Sequence, residues 1–216
     1  MHKLDHIVFG SRTLEEGTEF VENIVQTKLS DIGYHKDMGT HNRVIRISEK
    51  VYLEVIAIDP KTSKLNNRKW FNLDNSKLQS KLKKSPQVIG YVIENDDMNI
   101  TKYYDPFFES SRDIYKWQFA MPTFNNNILD GEIIETGIIP SLISWKSDKP
   151  VYQMKKNQFE LIRLEIGLSK SQQHLNTFFK TFGEIEYVSV SMTTEEEPSI
   201  FKLKLKDNVR DIVISL

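Results

Sequence analysis

Three polar side chains in the first sixty residues have the chemistry of a metal site. His6 lies within an apolar run, His41 begins a later alternating run, and Glu54 stands between Leu53 and Val55. An ionisable carboxylate is costly to bury unless it has a partner. Neutral imidazole and carboxylate together suit a borderline divalent cation such as zinc, iron, manganese or nickel. The residue types therefore indicate a candidate metal site.

The spacing of these side chains leaves a second interpretation open. The three residues are far apart in the sequence, so a site requires neighbouring strands to bring them together. Alternatively, His6 is a hydrogen-bonded histidine within a sheet and Glu54 faces solvent, because side chains alternate between the two faces of a strand. Asp5 is a candidate to orient a histidine, whereas the polar surroundings of His2 and His35 predict exposed side chains.

Several arginines are candidates for binding a substrate carboxylate through a fork-like contact. They are Arg43, Arg46 and Arg163. Pairing with surface acids is the more common role for each of them.

The surrounding sequence predicts a strand, a helix and then several strands. The apolar run Leu4–Phe9 favours a strand, and a capping box at Thr13 predicts a helix over residues 13–26. Two alternating segments follow a polar turn, and their short link is typical of a hairpin. These segments are Asn42–Ile47 and Val51–Ile58.

A similar order of elements recurs along the chain. Further strands are predicted at Gln87–Ile93, Tyr115–Met121, Glu132–Glu135, Ile138–Trp145 and Phe159–Gly167, and the last of them precedes an apolar helical stripe that ends before Gly183. The pattern divides the chain into a first unit (1–60), a connecting segment (61–86), a second unit (87–150) and a C-terminal strand–helix–strand unit (151–216).

Composition and charge argue against several classes of protein. The chain has 216 residues, with 29 basic and 30 acidic side chains and a formal net charge of −1. This balance supplies no strong field for nucleic acid or an anionic membrane. Cysteine is absent, which excludes disulfides, thiolate metal sites and cysteine nucleophiles. We therefore expect a cytoplasmic protein with a small-molecule partner and with no nucleic-acid or membrane partner.

Four short motifs, in the family's order, resemble the glyoxalase-like domain of the vicinal oxygen chelate superfamily, which also includes bleomycin-resistance proteins and extradiol dioxygenases. The motifs are Leu4–Val8, Gly39–Asn42, Tyr52–Ala57 with the following Asp59-Pro60, and Gly137–Trp145. The resemblance covers most of residues 1–150. It implies an α+β fold in which tandem βαβββ modules form curved mixed sheets around a cleft. The C-terminal unit is additional to these modules.

The resemblance also implies functional residues. Metal-dependent members use a histidine on the first strand and a glutamate on the fourth, and these positions match His6 and Glu54. In this interpretation His41 is a third ligand or an acid–base group, and Glu54 is a second candidate catalytic residue. The second module departs from the pattern, because Val88–Val92 offers no histidine or carboxylate and Ile138–Trp145 supplies serines.

The leading interpretation is a divalent-metal-dependent lyase, isomerase or dioxygenase that acts on a small oxygenated metabolite. A metal-free binding protein of the bleomycin-resistance type is the alternative, and a scaffold with a vestigial cleft is a third possibility. The residues expected to line the cleft are Asn42, Trp117, Phe119 and Trp145. A homodimer is a further expectation, because related modules often pair between subunits.

Overall fold

The computed structural model describes residues 1–62, 69–95, 103–123, 136–193 and 200–216. Within these ranges the helices are α1 (Leu14–Val25), α2 (Ser76–Leu82) and α3 (Leu175–Phe182). The strands are β1 (Lys3–Gly10), β2 (Gly33–His35), β3 (Thr40–Arg46), β4 (Tyr52–Ile58), β5 (Gln87–Glu94), β6 (Phe108–Arg112), β7 (Tyr115–Ala120), β8 (Ser141–Trp145), β9 (Phe159–Leu168), β10 (Val188–Met192), β11 (Phe201–Asp207) and β12 (Ile212–Ser215). No helix of the described ranges is long and apolar enough to cross a bilayer.

A mixed sheet of eight strands carries both modules. Its strand order is β2-β3-β4-β1-β5-β8-β7-β6, so the second module repeats the order of the first in reverse. The central strands β1 and β5 pair in an antiparallel ladder, which joins the two halves into one curved sheet. The predicted α+β fold of tandem βαβββ modules is confirmed. The predicted strand Glu132–Glu135 lies outside the described residues.

Local sequence explains how helix α1 starts and which face it buries. The Thr13 side chain accepts a hydrogen bond from the backbone N–H of Glu16, which satisfies one of the free donors of the first turn. The residues of α1 that point to the sheet recur at helical spacing and are buried. They are Leu14, Gly17, Val21 and Val25. Through this face α1 packs against β4 and β3 of the first module.

The two faces of the large sheet bury different apolar clusters. Successive residues of β1 alternate between them, so that Ile7 packs on one side and Val8 on the other. The side of Ile7 packs against α1 and the C-terminal unit. The side of Val8 is concave and is covered by the connecting segment through Trp70, Leu73 and helix α2.

The C-terminal unit forms its own four-stranded sheet. Its order is β10-β9-β11-β12, and β9 pairs in parallel with β10, the strand that directly follows helix α3. In the first module, by contrast, β1 pairs in parallel with the fourth strand, β4. The third strand–helix start in the sequence therefore leads to a different topology. The two sheets meet through contacts such as that between the rings of Tyr91 and Phe201.

Candidate functional site

A cavity opens on the concave face of the large sheet, and the space between its lining atoms, open solvent included, is about 530 Å³. Its polar lining consists of His6, His35, Asn42, Glu54 and Arg112. Its aromatic lining includes Tyr52, Trp70, Phe71, Tyr115, Trp117, Phe119 and Trp145. The cavity thus combines a compact polar group with broad apolar walls.

A β-bulge places two consecutive side chains of β1 in contact. The β1–β5 register shifts between Leu4 and His6, and Asp5 is the extra residue. Adjacent strand residues normally point to opposite faces, but a bulge re-aims one of them. As a result, Asp5 Oδ1 lies 2.6 Å from Nδ1 of His6, and both residues are buried. The carboxylate therefore holds one nitrogen of the imidazole and leaves Nε2 to face the cavity.

His6 and Glu54 converge in the cavity. Their strands are neighbours, and Nε2 of His6 lies 3.6 Å from Oε2 of Glu54. The Nδ2 amide of Asn42 on β3 donates a hydrogen bond to Oε1 of Glu54 and so fixes the carboxylate. If Nδ1 of His6 donates to Asp5, then Nε2 and Oε2 are two acceptors that face each other. A proton or a cation between them satisfies both atoms.

Asp5 is the centre of a buried network behind His6. Besides His6, its carboxylate accepts a hydrogen bond from Nε1 of Trp145 at 2.8 Å and lies 3.8 Å from Nζ of Lys149. The ring of Tyr52 stacks on His6 with centroids 4.6 Å apart. Burial raises the pKa of Tyr52 well above its ordinary value, and the charges of Asp5 and Glu54 add to this effect. Tyr52 is therefore a neutral neighbour of His6 at physiological pH.

The opposite end of the cavity is built by Arg112 of β6. Its Nη1 donates to Oδ1 of Asn42 at 3.1 Å and lies 3.3 Å from Nε2 of His35 on β2. Because a guanidinium only donates, Nε2 of His35 is the acceptor and the ring proton lies on Nδ1, which is 3.1 Å from Oγ1 of Thr40. The pKa of His35 is lowered to about 4, mainly by burial; the charge of Glu54 opposes the shift and that of Arg112 adds to it.

His35 corrects an expectation from the sequence. Its polar neighbours predicted an exposed side chain, yet the structure places it in the wall of the cavity. The short strand β2 pairs with β3, and this pairing carries His35 into the cavity wall. Arg112 was not a candidate at all, and none of the arginines proposed from the sequence lines this cavity.

His41 does not join the other predicted ligands. Asn42 and Val44 of β3 point into the cavity, so the intervening register places His41 on the other face of the strand. There, burial lowers the pKa of His41, while the charges of Asp59 and Glu15 act in the opposite direction. The structure brings His6 and Glu54 together and leaves His41 apart. A shared role for the three residues would require the β3 side chains to change faces.

The second-module position that matches His6 carries no imidazole. Matching the run Leu4–Val8 with the run Val88–Val92, position by position, places His6 on Gly90 and Val8 on Val92. The β1–β5 ladder, in which His6 faces Val92 and Val8 faces Gly90, is compatible with this match.

The counterpart of Glu54 is a serine. Val8 faces Glu54 in the parallel pair of β1 and β4, whereas Val92 faces Ser141 in the parallel pair of β5 and β8. Since Val8 and Val92 are equivalent, Ser141 occupies the place of Glu54. The second module's lack of the histidine and the glutamate, noted in the sequence, is thus located at Gly90 and Ser141.

Aromatic packing fills the space beside the second-module positions. A Cβ atom on Gly90 would lie 3.7 Å from Cδ1 of Phe71 and 3.9 Å from the backbone of Gly137. Phe71 in turn contacts Trp70, which packs edge-on against Phe119 at 4.6 Å between centroids. The polar chemistry of the cavity is therefore concentrated in the first module.

The donor atoms of the cavity meet the needs of a divalent metal in part. Among the described residues, no group of three or more His, Cys, Asp or Glu side chains is arranged as a metal site. His6 and Glu54 alone fit as a pair, since metal–ligand distances of about 2.1 Å separate tetrahedral ligands by roughly 3.4 Å. Asp5 matches the carboxylate that usually holds the second nitrogen of a ligating histidine. The pair fits an ion that takes its remaining ligands from water or substrate.

A family model described as "Glyoxalase-like domain" matches residues 4–180. The chain belongs to the glyoxalase-like domain family. This family lies within the vicinal oxygen chelate superfamily, as the sequence motifs predicted. A comparison with curated protein sequences gives no match.

A solved structure with a TM-score above 0.5 shows the fold of this glyoxalase-like protein, and two epimerases are weaker matches. A hypothetical protein from Staphylococcus aureus has a TM-score of 0.61 and 18% identity, and the match covers 100% of this chain and 85% of that one. Methylmalonyl-CoA epimerase from Mycobacterium tuberculosis has a TM-score of 0.42 and 11% identity, covering 69% and 91% of the two chains. A Streptomyces coelicolor epimerase of the same kind, in complex with 2-nitronate-propionyl-CoA, has a TM-score of 0.44 and 13% identity, covering 68% and 97%.

The aromatic residues expected from the sequence do line the cavity of this glyoxalase-like protein. Trp117 and Phe119 come from β7, and Trp145 comes from the end of β8. Alternation along β7 places the first two on one face, and pairing with β8 brings Trp117 opposite Trp145. Asn42 also lines the cavity, where it connects Glu54 to Arg112.

Proposed function

We propose that this glyoxalase-like protein is a divalent-metal-dependent enzyme that acts on a small oxygenated metabolite in the cavity. The observation that carries the proposal is the convergence of His6 Nε2 and Glu54 Oε2 at 3.6 Å, with Asp5 behind His6. These residues would hold the metal. When bound, a divalent ion acts as a Lewis acid that stabilises negative charge on substrate oxygens.

The chain's own residues supply orientation and proton transfer. Asp5 fixes the imidazole of His6, so that Nε2 points into the cavity. Asn42 holds one oxygen of Glu54, which leaves Oε2 directed toward His6 and the cavity. A carboxylate that is fixed at one oxygen is suited to take a proton from a substrate at the other whenever that second oxygen is not bound to the metal. Glu54 is therefore proposed as the acid–base residue.

The aromatic walls favour this chemistry by excluding water. Trp117 is 8% exposed and Phe119 is 3% exposed, and both line the cavity. Electrostatic interactions are stronger in such surroundings than in bulk water. Flat aromatic surfaces also cover apolar parts of a ligand. A small metabolite with an apolar body and adjacent oxygens fits both ends of the site.

A second candidate function is metal-free binding of a small molecule. The observation that favours it is that the second-module positions, Gly90 and Ser141, carry neither an imidazole nor a carboxylate. Two protein ligands hold a metal less firmly than three or four. In this case the aromatic walls dominate affinity, and the protein sequesters its ligand without converting it.

Metal titration of chelator-treated protein separates the two functions. We expect wild type to bind Mn²⁺, Co²⁺ or Zn²⁺ in calorimetry, and Glu54→Gln and His6→Gln to lose this binding. Glu165→Gln is the matched control, since Glu165 pairs with Lys204 on the C-terminal sheet. If folded wild type binds none of these ions and neither Fe²⁺ nor Ni²⁺, the proposal of a metal-dependent enzyme is contradicted. Metal-free binding of a small molecule is then the remaining candidate function.

A further inference from the structure

Arg112 places a cation in the cavity without an acidic partner. Its contacts are with Asn42 and His35, and both use Nη1. No ion pair of Arg112 occurs within the described part of the chain, and neither Nε nor Nη2 donates a hydrogen bond there. His35 is neutral near pH 7 because burial lowers its pKa, and an imidazole supplies no negative charge to balance that of Arg112. The unused donors of this partly buried guanidinium need water or a ligand as a partner.

The unused donors have the geometry of an anion site. Guanidinium is planar, and its Nε–H and Nη2–H groups form a fork that matches a carboxylate or a phosphate. Nη1 is held by Asn42 and His35, which restricts rotation of the group. Because Arg112 lines both the cavity and the adjoining groove, a molecule bound there lies close to the guanidinium.

The surface around the entrance has the charge expected for an anionic ligand. A groove adjoins the cavity and shares Asn42, Val44, Arg112 and Tyr115 with it. The basic side chains along this groove are Lys28, Arg46, Arg112, Lys155 and Lys156, and the acidic ones are Asp31 and Asp113. The excess of basic residues persists when Lys28, which pairs with Glu22, is set aside. Such a surface attracts anions toward the cavity.

We propose that Arg112 binds the carboxylate or phosphate of the substrate, and that an aromatic or similarly flat body links this anion to the oxygens near Glu54. Trp117 and Trp145 line the cavity together with Arg112 and would cover such a body. The inference rests on the proposed function in one respect, namely that the cavity is a small-molecule site. It adds a substrate class, namely a flat molecule with a carboxylate or phosphate. It also assigns to Arg112 the role of selecting that substrate.

A substitution at Gly33 offers an independent test of the position of Arg112. A Cβ atom at Gly33 would lie 2.4 Å from Nη1 of Arg112 and 2.4 Å from Oδ1 of Asn42. The absence of a side chain at this point of β2 therefore makes room for the guanidinium. Gly33→Ala would displace Arg112 from its place while leaving its charge in the protein.

The test measures binding of simple probes to metal-free, full-length protein by calorimetry. The probes are benzoate, phenyl phosphate and neutral benzamide. We expect one of the anions to bind roughly tenfold or more tightly than benzamide, because hydrogen bonds to a charged group contribute that much. Arg112→Gln should abolish this preference, and Arg112→Lys and Gly33→Ala should weaken it. Arg163→Gln removes the same charge from an exposed site on β9 and should change nothing.

The outcomes separate this inference from the enzyme proposal. Which anion binds more tightly distinguishes a carboxylate substrate from a phosphate. Equal affinity for benzamide and both anions, or an anion preference that survives in Arg112→Gln, would overturn the inference even if metal binds at His6 and Glu54. Failure of all three probes to bind at high millimolar concentration would also overturn it. An anion preference in a protein that binds no metal would support the role of Arg112 in binding an anion. It would contradict only the proposal of a metal-dependent enzyme.

Discussion

Nη1 of Arg112 lies 3.3 Å from Nε2 of His35, although the two residues belong to opposite edge strands of one eight-stranded sheet. Strand β2 is the outer strand of the first module, and β6 is the outer strand of the second. Contact between them means that the sheet curves until its edges approach each other. The cavity is what this curvature encloses, and both residues line it.

The lowered pKa of His35 predicts that stability falls in mild acid. Burial lowers this pKa from 6.5 to about 4. Between these values the unfolded chain binds the proton more readily, so the stabilisation present above pH 6.5 is lost as pH falls toward 4. The effect amounts to at most roughly 3 kcal/mol. Urea unfolding at pH 7.0 and 4.5 measures it.

His35→Gln is the control for this prediction. Glutamine can still accept a hydrogen bond from Arg112 but does not titrate. His41, whose pKa is also lowered, contributes in the same direction in both proteins. A variant whose free energy of unfolding falls between pH 7.0 and 4.5 as much as that of wild type would show that His35 is not responsible.

Asp5 is predicted to strengthen metal binding through His6. Asp5→Asn keeps the shape of the side chain but weakens the hold on Nδ1 of His6. Substitution of such supporting carboxylates typically lowers metal affinity about 10- to 100-fold. Titration with Mn²⁺ or Co²⁺ gives the ratio, and Asp211→Asn on the exposed end of the C-terminal sheet is the control. Equal affinities of wild type and Asp5→Asn would show that Asp5 does not support a ligand.

The hydrogen bond from Trp145 to Asp5 is predicted to stabilise the fold. Trp145→Phe retains an aromatic ring but removes the Nε1 donor, leaving a buried carboxylate oxygen with one partner fewer. A hydrogen bond to a charged group contributes about 1.5–3 kcal/mol. Chemical unfolding of Trp145→Phe should show a loss of this order. Trp117→Phe is the control for the change in ring size alone. If both variants lose the same free energy of unfolding, the hydrogen bond from Trp145 to Asp5 does not stabilise the fold.

Gly137 is predicted to be essential for the packing of the second module. Its φ is +63°, and a Cβ atom there would lie 1.9 Å from the backbone oxygen of Ile89. Gly183 also has a positive φ, of +90°, but a Cβ atom there would meet nothing within 4 Å. Gly183→Ala should therefore cost only conformational strain, about 1–3 kcal/mol. Gly137→Ala should cost clearly more, and equal unfolding midpoints for the two variants would contradict the close approach.

Much of the fold could be predicted because apolar periodicity marks the inner strands and α1. The elements that escaped prediction are β2 and β6, the two edge strands. β2 has only three residues, and the inward positions of β6 include Ser110 and Arg112 as well as Phe108. Neither strand shows a run of alternating apolar residues. They carry His35 and Arg112, and for this reason one end of the cavity could not be predicted.

The other end of the cavity was only partly predictable. His6 and Glu54 were identified from the family motifs, and parallel pairing of their strands explains their proximity. The role of the bulge at Asp5 depends on a ladder between residues more than eighty positions apart, which the local sequence does not encode. The face of His41 depends on the register of β3. A change of one residue in that register would have placed His41 in the cavity instead of Asn42.

The unequal modules have a stereochemical consequence. A cavity with true two-fold symmetry would accept a substrate in two equivalent poses and would present both of its prochiral faces to the same groups. Here Gly90 and Ser141 stand on one side in place of an imidazole and a carboxylate, so that His6 and Glu54 act from a single direction. A ligand anchored at Arg112, covered by Trp117 and contacted by the pair of His6 and Glu54 would be held at three points. Conversion in such a site is expected to yield one enantiomer.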